Sequence, residues 1–412
     1  MRIVIVADDI QKEGGNNEII KHIKKALLDN ATTLLLLTSS PSPPPPSSSS
    51  LVQAKQNEVK SLQVDVEYVI GTQYLPRYLP QKLKDLFRPV YLRNIARDTK
   101  RFTTVNLIIT TQPNSHCIQH KNHIIYFQHH LKQYYDLFWY SFRQKKGIRK
   151  KAVFLILAAI VRASDRLYLT PNLRKSYVIV NSDTVGERLK KYNKYSSFDV
   201  IHPGCKIPSE TKGKDYYQQS HRIIKKTNDL SPPPPPPLLL LSFSRLSVMQ
   251  KGIDIIIQTA LNLPQYSFII AGPYDPSIDS IRSSSTITPN IKFMVGEFSE
   301  EQKAELYREC NVFLAPYFEE DFGITPLEAN AYGKPVIYCR DSGEIIRTQK
   351  HKKTGFMCNR TPSAIAEGIE YCLKNKDSMS DACIENAKRY SWDNFEQSIA
   401  QYIIKILRRQ NK

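Results

Sequence analysis

The stretch YFEEDFGITPLEANAYGKPVIY (317–338) sets Glu320 and Glu328 on either side of a Phe-Gly-Ile turn. Glycine turns that open a helix point backbone N–H groups and the positive end of the helix dipole at a bound anion, most often phosphate. Carboxylates beside such a turn suit the hydroxyls of a ribose or a sugar. A phosphorylated sugar satisfies both halves. A plainer reading exists for the second carboxylate, because Thr325-Pro326-Leu327-Glu328 has capping-box spacing, with Thr325 as cap and Glu328 reaching back to it.

The surrounding elements would position these groups. NVFLAPYF is apolar and aromatic enough for a buried strand, PLEANAYG runs as a short helix to Gly333, and KPVIY starts another strand. The pattern recurs along the chain. RIVIVADD is a strand, KEGGNNEIIKHIKKALLDN a glycine turn and amphipathic helix, and TTLLLLTSS is expected as the second strand. VNLIITTQPN, NHIIYFQHH, SYVIVNSDTVGERLKKY and FDVIHPGCKIP continue the first half. PLLLLSFSRL, KGIDIIIQTALNL, YSFIIAGPYD, NIKFMVGEF and SEEQKAELYREC, with Ser299 as helix cap, build the second. Strands alternating with helices predict parallel sheets, so the fold class is α/β with two doubly wound, Rossmann-like domains facing a cleft. The expected boundaries are 1–205, a linker at 206–237, 238–390, and a C-terminal helix at 391–412 that crosses back to the first domain. The low-complexity runs SSPSPPPPSSSS (39–50) and SPPPPPP (231–237) are expected to be exposed and chemically silent.

Composition narrows the function. The 412 residues are too many for one core. Net charge is +19, and it is uneven: residues 1–200 hold 31 Lys and Arg against 15 Asp and Glu, the rest 27 against 24. A basic first half predicts an anionic surface or substrate there, and an acidic membrane leaflet fits. No helix-turn-helix, RRM or zinc-knuckle pattern appears, so nucleic acid is not expected as a partner. The seven scattered cysteines show no ligand spacing and are expected to be reduced, as in a cytoplasmic protein. MRIVIVADD is too short for a signal peptide, and AVFLILAAIV (152–161) covers about half a bilayer. This run is expected as a core helix, although its basic flanks RQKKGIRKK and RASDR also suit a peripheral membrane-surface element.

Residues 240–395 in particular resemble the GT-B retaining glycosyltransferases of family four, through the E(x7)E pattern Glu320 to Glu328 and the wording EEDFGITPLEA. The resemblance implies that Glu320 contacts the donor sugar, that Glu328 contacts the nucleotide ribose, and that the amides of Phe322, Gly323 and Ile324 approach donor oxygens. It implies that Arg245 and Lys251 in SRLSVMQKG hold the donor diphosphate, stabilising charge that grows as the glycosidic bond breaks. Gly14-Gly15 would let the first domain's backbone approach the donor. By the same resemblance His129 would stand near the reacting sugar, with His130 as its alternative. FMVGE, with Gly296, would border the base, and RYSWDNF would begin the helix that crosses back. DSGEII reduces the family's Gly-Gly-x-x-Glu, which leaves the role of Glu344 open.

No D-x-D triad stands at a strand end, so no metal is expected, and the only small-molecule requirement is the nucleotide sugar itself. The reading is a hexosyltransferase in glycan biosynthesis, with GDP-mannose the favoured donor and a lipid-linked or oligosaccharide acceptor. The alternatives are a synthase acting on a soluble sugar, or an inactive binding protein on the same scaffold.

Overall fold

The computed structural model describes residues 1–7, 15–38, 62–68, 85–208, 238–282 and 288–410. Gly14 and both proline-rich runs lie outside these. The chain forms two compact units, Met1–Pro203 together with Asp393–Lys412, and Gly204–Trp392.

The first unit is built on a six-stranded parallel sheet of β1 (Arg2–Ala7), β2 (Gln63–Tyr68), β3 (Leu107–Thr110), β4 (His123–Phe127), β5 (Tyr177–Val180) and β6 (Asp199–Val200), in the order β2-β1-β3-β4-β5-β6. Residues 3–7 and all of β3 and β4 are buried, which is why these segments read as apolar runs and not as alternating ones. The second strand is not where it was expected. Ala31–Thr38 is a helix, and β2 is Gln63–Tyr68, paired in register from Arg2↔Gln63 to Ala7↔Tyr68. Leucine favours helix, and TTLLLL has neither the β-branched density nor the alternation of a strand. The true strand sits at the sheet's edge, where Asp65 and Glu67 pair with Arg2 at 2.9 and 3.3 Å.

The helix Trp392–Gln410 returns to this unit, as expected. Phe395 is buried edge-on against Tyr126, with ring centroids 5.8 Å apart. Glu396 meets both His22 and Lys25 of the helix Gly15–Asp29.

The second unit repeats the plan with β7 (Leu239–Phe243), β8 (Ser267–Gly272), β9 (Ile291–Val295), β10 (Val312–Ala315), β11 (Val336–Cys339) and β12 (Gly355–Cys358). Their order, β12-β11-β10-β7-β8-β9, is the doubly wound arrangement in which strand succession reverses between β7 and β10. Ligands of such sheets bind beyond the carboxyl ends of the strands at that reversal. The segments leaving β7 and β10 are those that carry Arg245, Lys251 and Glu320.

Candidate functional site

The loop after β7 and the loop after β10 are built against each other. Gly252 has φ +64° and caps the helix Ile253–Leu261, and a Cβ there would lie 2.3 Å from the Pro316 carbonyl oxygen. The Phe318 amide donates to the Gln250 carbonyl at 2.8 Å. This approach brings the Lys251 ammonium 2.7 Å from Glu320 Oε2 and 4.3 Å from the centre of the Tyr317 ring. Two residues 69 positions apart in sequence thus form one charged pair, largely shielded from solvent. Arg245 lies on the same loop with its side chain exposed, while its carbonyl accepts from the Ser247 amide at 2.7 Å.

The E(x7)E turn departs from the capping-box reading. The helix begins at Ile324, two residues earlier than Pro326, and Gly323 is its N-cap at φ +87° with no side-chain cap. A Cβ on Gly323 would sit 2.7 Å from Ile345 Cγ1, so this left-handed turn requires glycine and draws the helix start forward. Thr325 falls inside the first turn, where its hydroxyl meets the Tyr317 hydroxyl at 3.1 Å. The Glu328 Oε2 accepts from the Tyr307 hydroxyl at 2.7 Å. Tyr307 is buried, and burial together with the Glu328 carboxylate raises its phenol well above the usual range, so it stays a donor. Phe322 turns its ring into the interior beside Tyr390. Ile324 packs partly buried on the cluster that holds Phe322 and Leu327.

Several residues that hold this site were not singled out from the sequence. Arg360, just after β12, donates to both Asp341 oxygens at 2.8 and 2.7 Å, to the Pro316 carbonyl at 2.6 Å and to the Tyr317 carbonyl at 2.7 Å. Ser342 donates to the Tyr317 carbonyl at 2.7 Å. The Glu319 amide donates to the Asp341 carbonyl, and the Glu344 amide to the Glu320 carbonyl, both at 3.0 Å. Gly343, at φ +62°, leaves no room for a Cβ against the Glu320 backbone. The 316–320 loop is therefore fixed by the loop after β11 and by one guanidinium. An arginine beyond the carboxyl end of a strand was the available signal, but its spacing matched no motif. The Glu344 side chain is buried and lies 3.5 Å from Arg347. Gly296, just past β9, has φ +148° with open space where a side chain would project.

In the first unit, Gly15 opens the helix Gly15–Asp29, and the neighbouring Asn16 accepts from the Gln128 amide at 2.6 Å beyond the end of β4. His129 follows and is half-buried, with Nδ1 2.8 Å from the His130 carbonyl. His130 is buried among Phe127, Tyr135 and Tyr192, with Nε2 2.7 Å from Asn193 Oδ1, and burial lowers its pKa. His130 is thereby a packed, neutral core histidine, and His129 is the more accessible of the two. Among the described residues no group of three or more His, Cys, Asp or Glu is arranged to hold a metal.

Residues 225–390 match the family described as Glycosyl transferases group 1. Among curated proteins, the alpha-1,3/1,6-mannosyltransferase ALG2 of Mus musculus is 26% identical over 256 residues, 56% of this chain and 59% of that protein. The matched region thus spans little more than half the length of such relatives. Among solved structures, Anabaena Alr3699/HepE in complex with UDP-glucose aligns with a TM-score of 0.62 at 15% identity, covering 98% of this chain and 99% of that one. Sucrose-phosphate synthase from Thermosynechococcus elongatus aligns with a TM-score of 0.65 at 17% identity, covering 98% of each chain. The chain has the GT-B fold, and its residues 225–390 are similar to the group 1 glycosyl transferases.

Proposed function

We propose that the chain is a retaining, nucleotide-sugar-dependent hexosyltransferase whose donor binds the second unit. The observation that carries this reading is the pairing of Lys251 with Glu320 where strand order reverses, with Arg245 exposed on the same loop. A cation within reach of the diphosphate and a carboxylate within reach of the sugar are what transfer from a nucleotide sugar needs at that point. In the reaction the bond from the anomeric carbon to the phosphate oxygen breaks and its electron pair stays on the diphosphate. The acceptor oxygen bonds to the anomeric carbon and passes its proton to the departing diphosphate oxygen. Arg245 and Lys251 meet charge that grows on the leaving diphosphate, so they stabilise the transition state more than the bound donor. With two cations in that role the reaction needs no metal.

Mannose is the favoured sugar and GDP-mannose the favoured donor. The EEDFGI wording supports this, as does the mannosyltransferase named among the relatives. The excess of 16 positive charges in residues 1–200 supports a lipid-linked or glycan acceptor at a cytoplasmic membrane face. Sucrose-phosphate synthase among the structural neighbours favours a second reading, a synthase acting on a soluble sugar. An inactive binding protein is the weaker alternative, because Arg245, Lys251, Glu320 and Glu328 are all retained. Donor hydrolysis across a panel of nucleotide sugars tests the reading. Turnover of one donor, GDP-mannose first, is expected; binding without turnover of any of them would favour the inactive alternative.

A further inference from the structure

The apolar run at 152–161 was expected inside the core, and the structure places only part of it there. The helix Ile148–Ser164 buries Phe154, Leu157, Ala158, Val161 and Ser164. Its opposite face is also apolar. Ile148, Ala152, Leu155, Ile156, Ala159 and Ala163 are spaced as one helical stripe, and all are exposed. Ile148 is 86%, Val153 52%, Leu155 45% and Ile156 58% exposed, too much apolar surface in one place for scattered surface residues. The preceding helix Phe138–Arg143 buries none of its residues and presents Trp139 at 66% exposure. Trp139 rests on Phe138 and Phe142, which pack against Phe154, so the two helices share one surface.

Cations border this surface. Arg143, Lys145, Lys146, Arg149, Lys150 and Lys151 fall within nine residues that contain no acid. None of the six pairs with a carboxylate among the described residues. Lys145 and Lys151 instead lie over the rings of Phe154 and Phe142, at 5.6 and 5.3 Å. No described helix is long and apolar enough to cross a membrane.

We infer that the outward face of Phe138–Arg143 and Ile148–Ser164 is a docking surface for an anionic lipid bilayer. Its apolar stripe and Trp139 enter the interface, and the flanking cations meet acidic headgroups. Charge complementarity selects this occupant. A half-length apolar face ringed by Lys and Arg, with an exposed Trp, suits the boundary between headgroups and acyl chains, and each nearby cation adds attraction to an anionic leaflet. A protein partner would need acidic groups opposite six cations and an apolar ridge between them. The inference bears on the acceptor side of the proposed reaction but needs no turnover, so its failure leaves the transferase reading standing.

Sedimentation of the full chain with phosphatidylcholine vesicles, with and without phosphatidylglycerol, is the test. Binding is expected to the anionic vesicles alone, with release in high salt. Brominated lipid should quench tryptophan emission, and Trp139→Phe should remove that quenching. Lys146→Gln with Lys150→Gln should weaken binding roughly 30-fold, the effect of two cations lost beside an anionic leaflet. Leu155→Glu with Ile156→Glu should abolish it with the melting temperature unchanged, since both side chains are largely exposed. No binding to any vesicle, or equal binding to neutral and anionic ones, would overturn the inference. So would undiminished binding by the lysine variant. A dimer in vesicle-free buffer that the glutamate variant dissolves would assign the face to a second copy of the chain instead.

Discussion

Arg360→Lys keeps the positive charge next to the 316–320 loop but exchanges a planar fork for a single ammonium. The native guanidinium makes four bonds of 2.6–2.8 Å to Asp341, Pro316 and Tyr317. An ammonium cannot serve a carboxylate and two separate carbonyls from one point, so at least two of these bonds are lost. Bonds to charged groups contribute about 1.5–3 kcal/mol each. Here the side chains of Arg360 and Asp341 are 25% and 38% exposed, so water offsets part of the loss. A net cost of about 2 kcal/mol results, which in a unit of this size lowers the melting temperature by about 4–8 °C. The effect on catalysis is separate and larger in proportion. Glu320 lies at the end of the loop that Arg360 holds, and a displacement of about 1 Å at a reacting centre costs about 10²-fold in rate. Calorimetry would give the melting temperature, and steady-state kinetics with donor varied would separate kcat from KM. The expected result is a folded protein with kcat reduced well beyond any change in donor KM. Wild-type kcat and KM alongside a lowered melting temperature would refute the positioning role and leave Arg360 as a structural tie only.

Replacing Arg245 or Lys251 with Ala should lower kcat/KM by roughly 10²–10³, the scale for one preorganised contact to developing charge; wild-type turnover in both variants would remove them from the mechanism. Glu328→Gln keeps an acceptor for the Tyr307 hydroxyl, so its melting temperature should hold while donor KM rises, whereas Glu320→Gln should lose mostly kcat; an unchanged donor KM in the first would reduce Glu328 to a partner of Tyr307. Activity should persist in excess EDTA, and a complete loss that Mg²⁺ or Mn²⁺ restores would contradict the role given to the two cations.

Much of the fold was legible because buried parallel strands leave a plain trace: β3, β4, β5, β7, β10 and β11 are all short apolar runs, flanked by turn residues or helix starts. Ser299 was equally plain, and it makes a full capping box with Gln302. An edge strand leaves a fainter trace. Gln63–Tyr68 alternates Val64, Val66 and Tyr68 with Asp65 and Glu67, so it lacks the continuous apolar run of the buried strands. In the site, Glu320, Lys251 and Arg245 could be named because each lies in a short local stretch that resembles the family's wording. Their meeting depends on the crossing of two loops, which no local pattern encodes. The partners of Glu328 and of the 316–320 loop include Tyr307, Asp341, Ser342 and Arg360. They come from the helix Glu300–Glu309, the loop after β11 and the segment after β12, so their contacts are set by tertiary packing alone. The same limit explains the reading of residues 152–161, where hydropathy cannot say which side of an apolar helix faces the core.

The most direct test of the account is titration calorimetry with nucleoside diphosphates and the matching monophosphates, using the wild-type chain and the Arg245→Ala/Lys251→Ala double variant. The account predicts that one diphosphate binds more tightly than its monophosphate in the wild type, and that the double variant loses this preference while still folding. Equal affinity for the two nucleotides in the wild type, or a preference that survives in the double variant, would contradict a donor diphosphate held between Arg245 and Lys251.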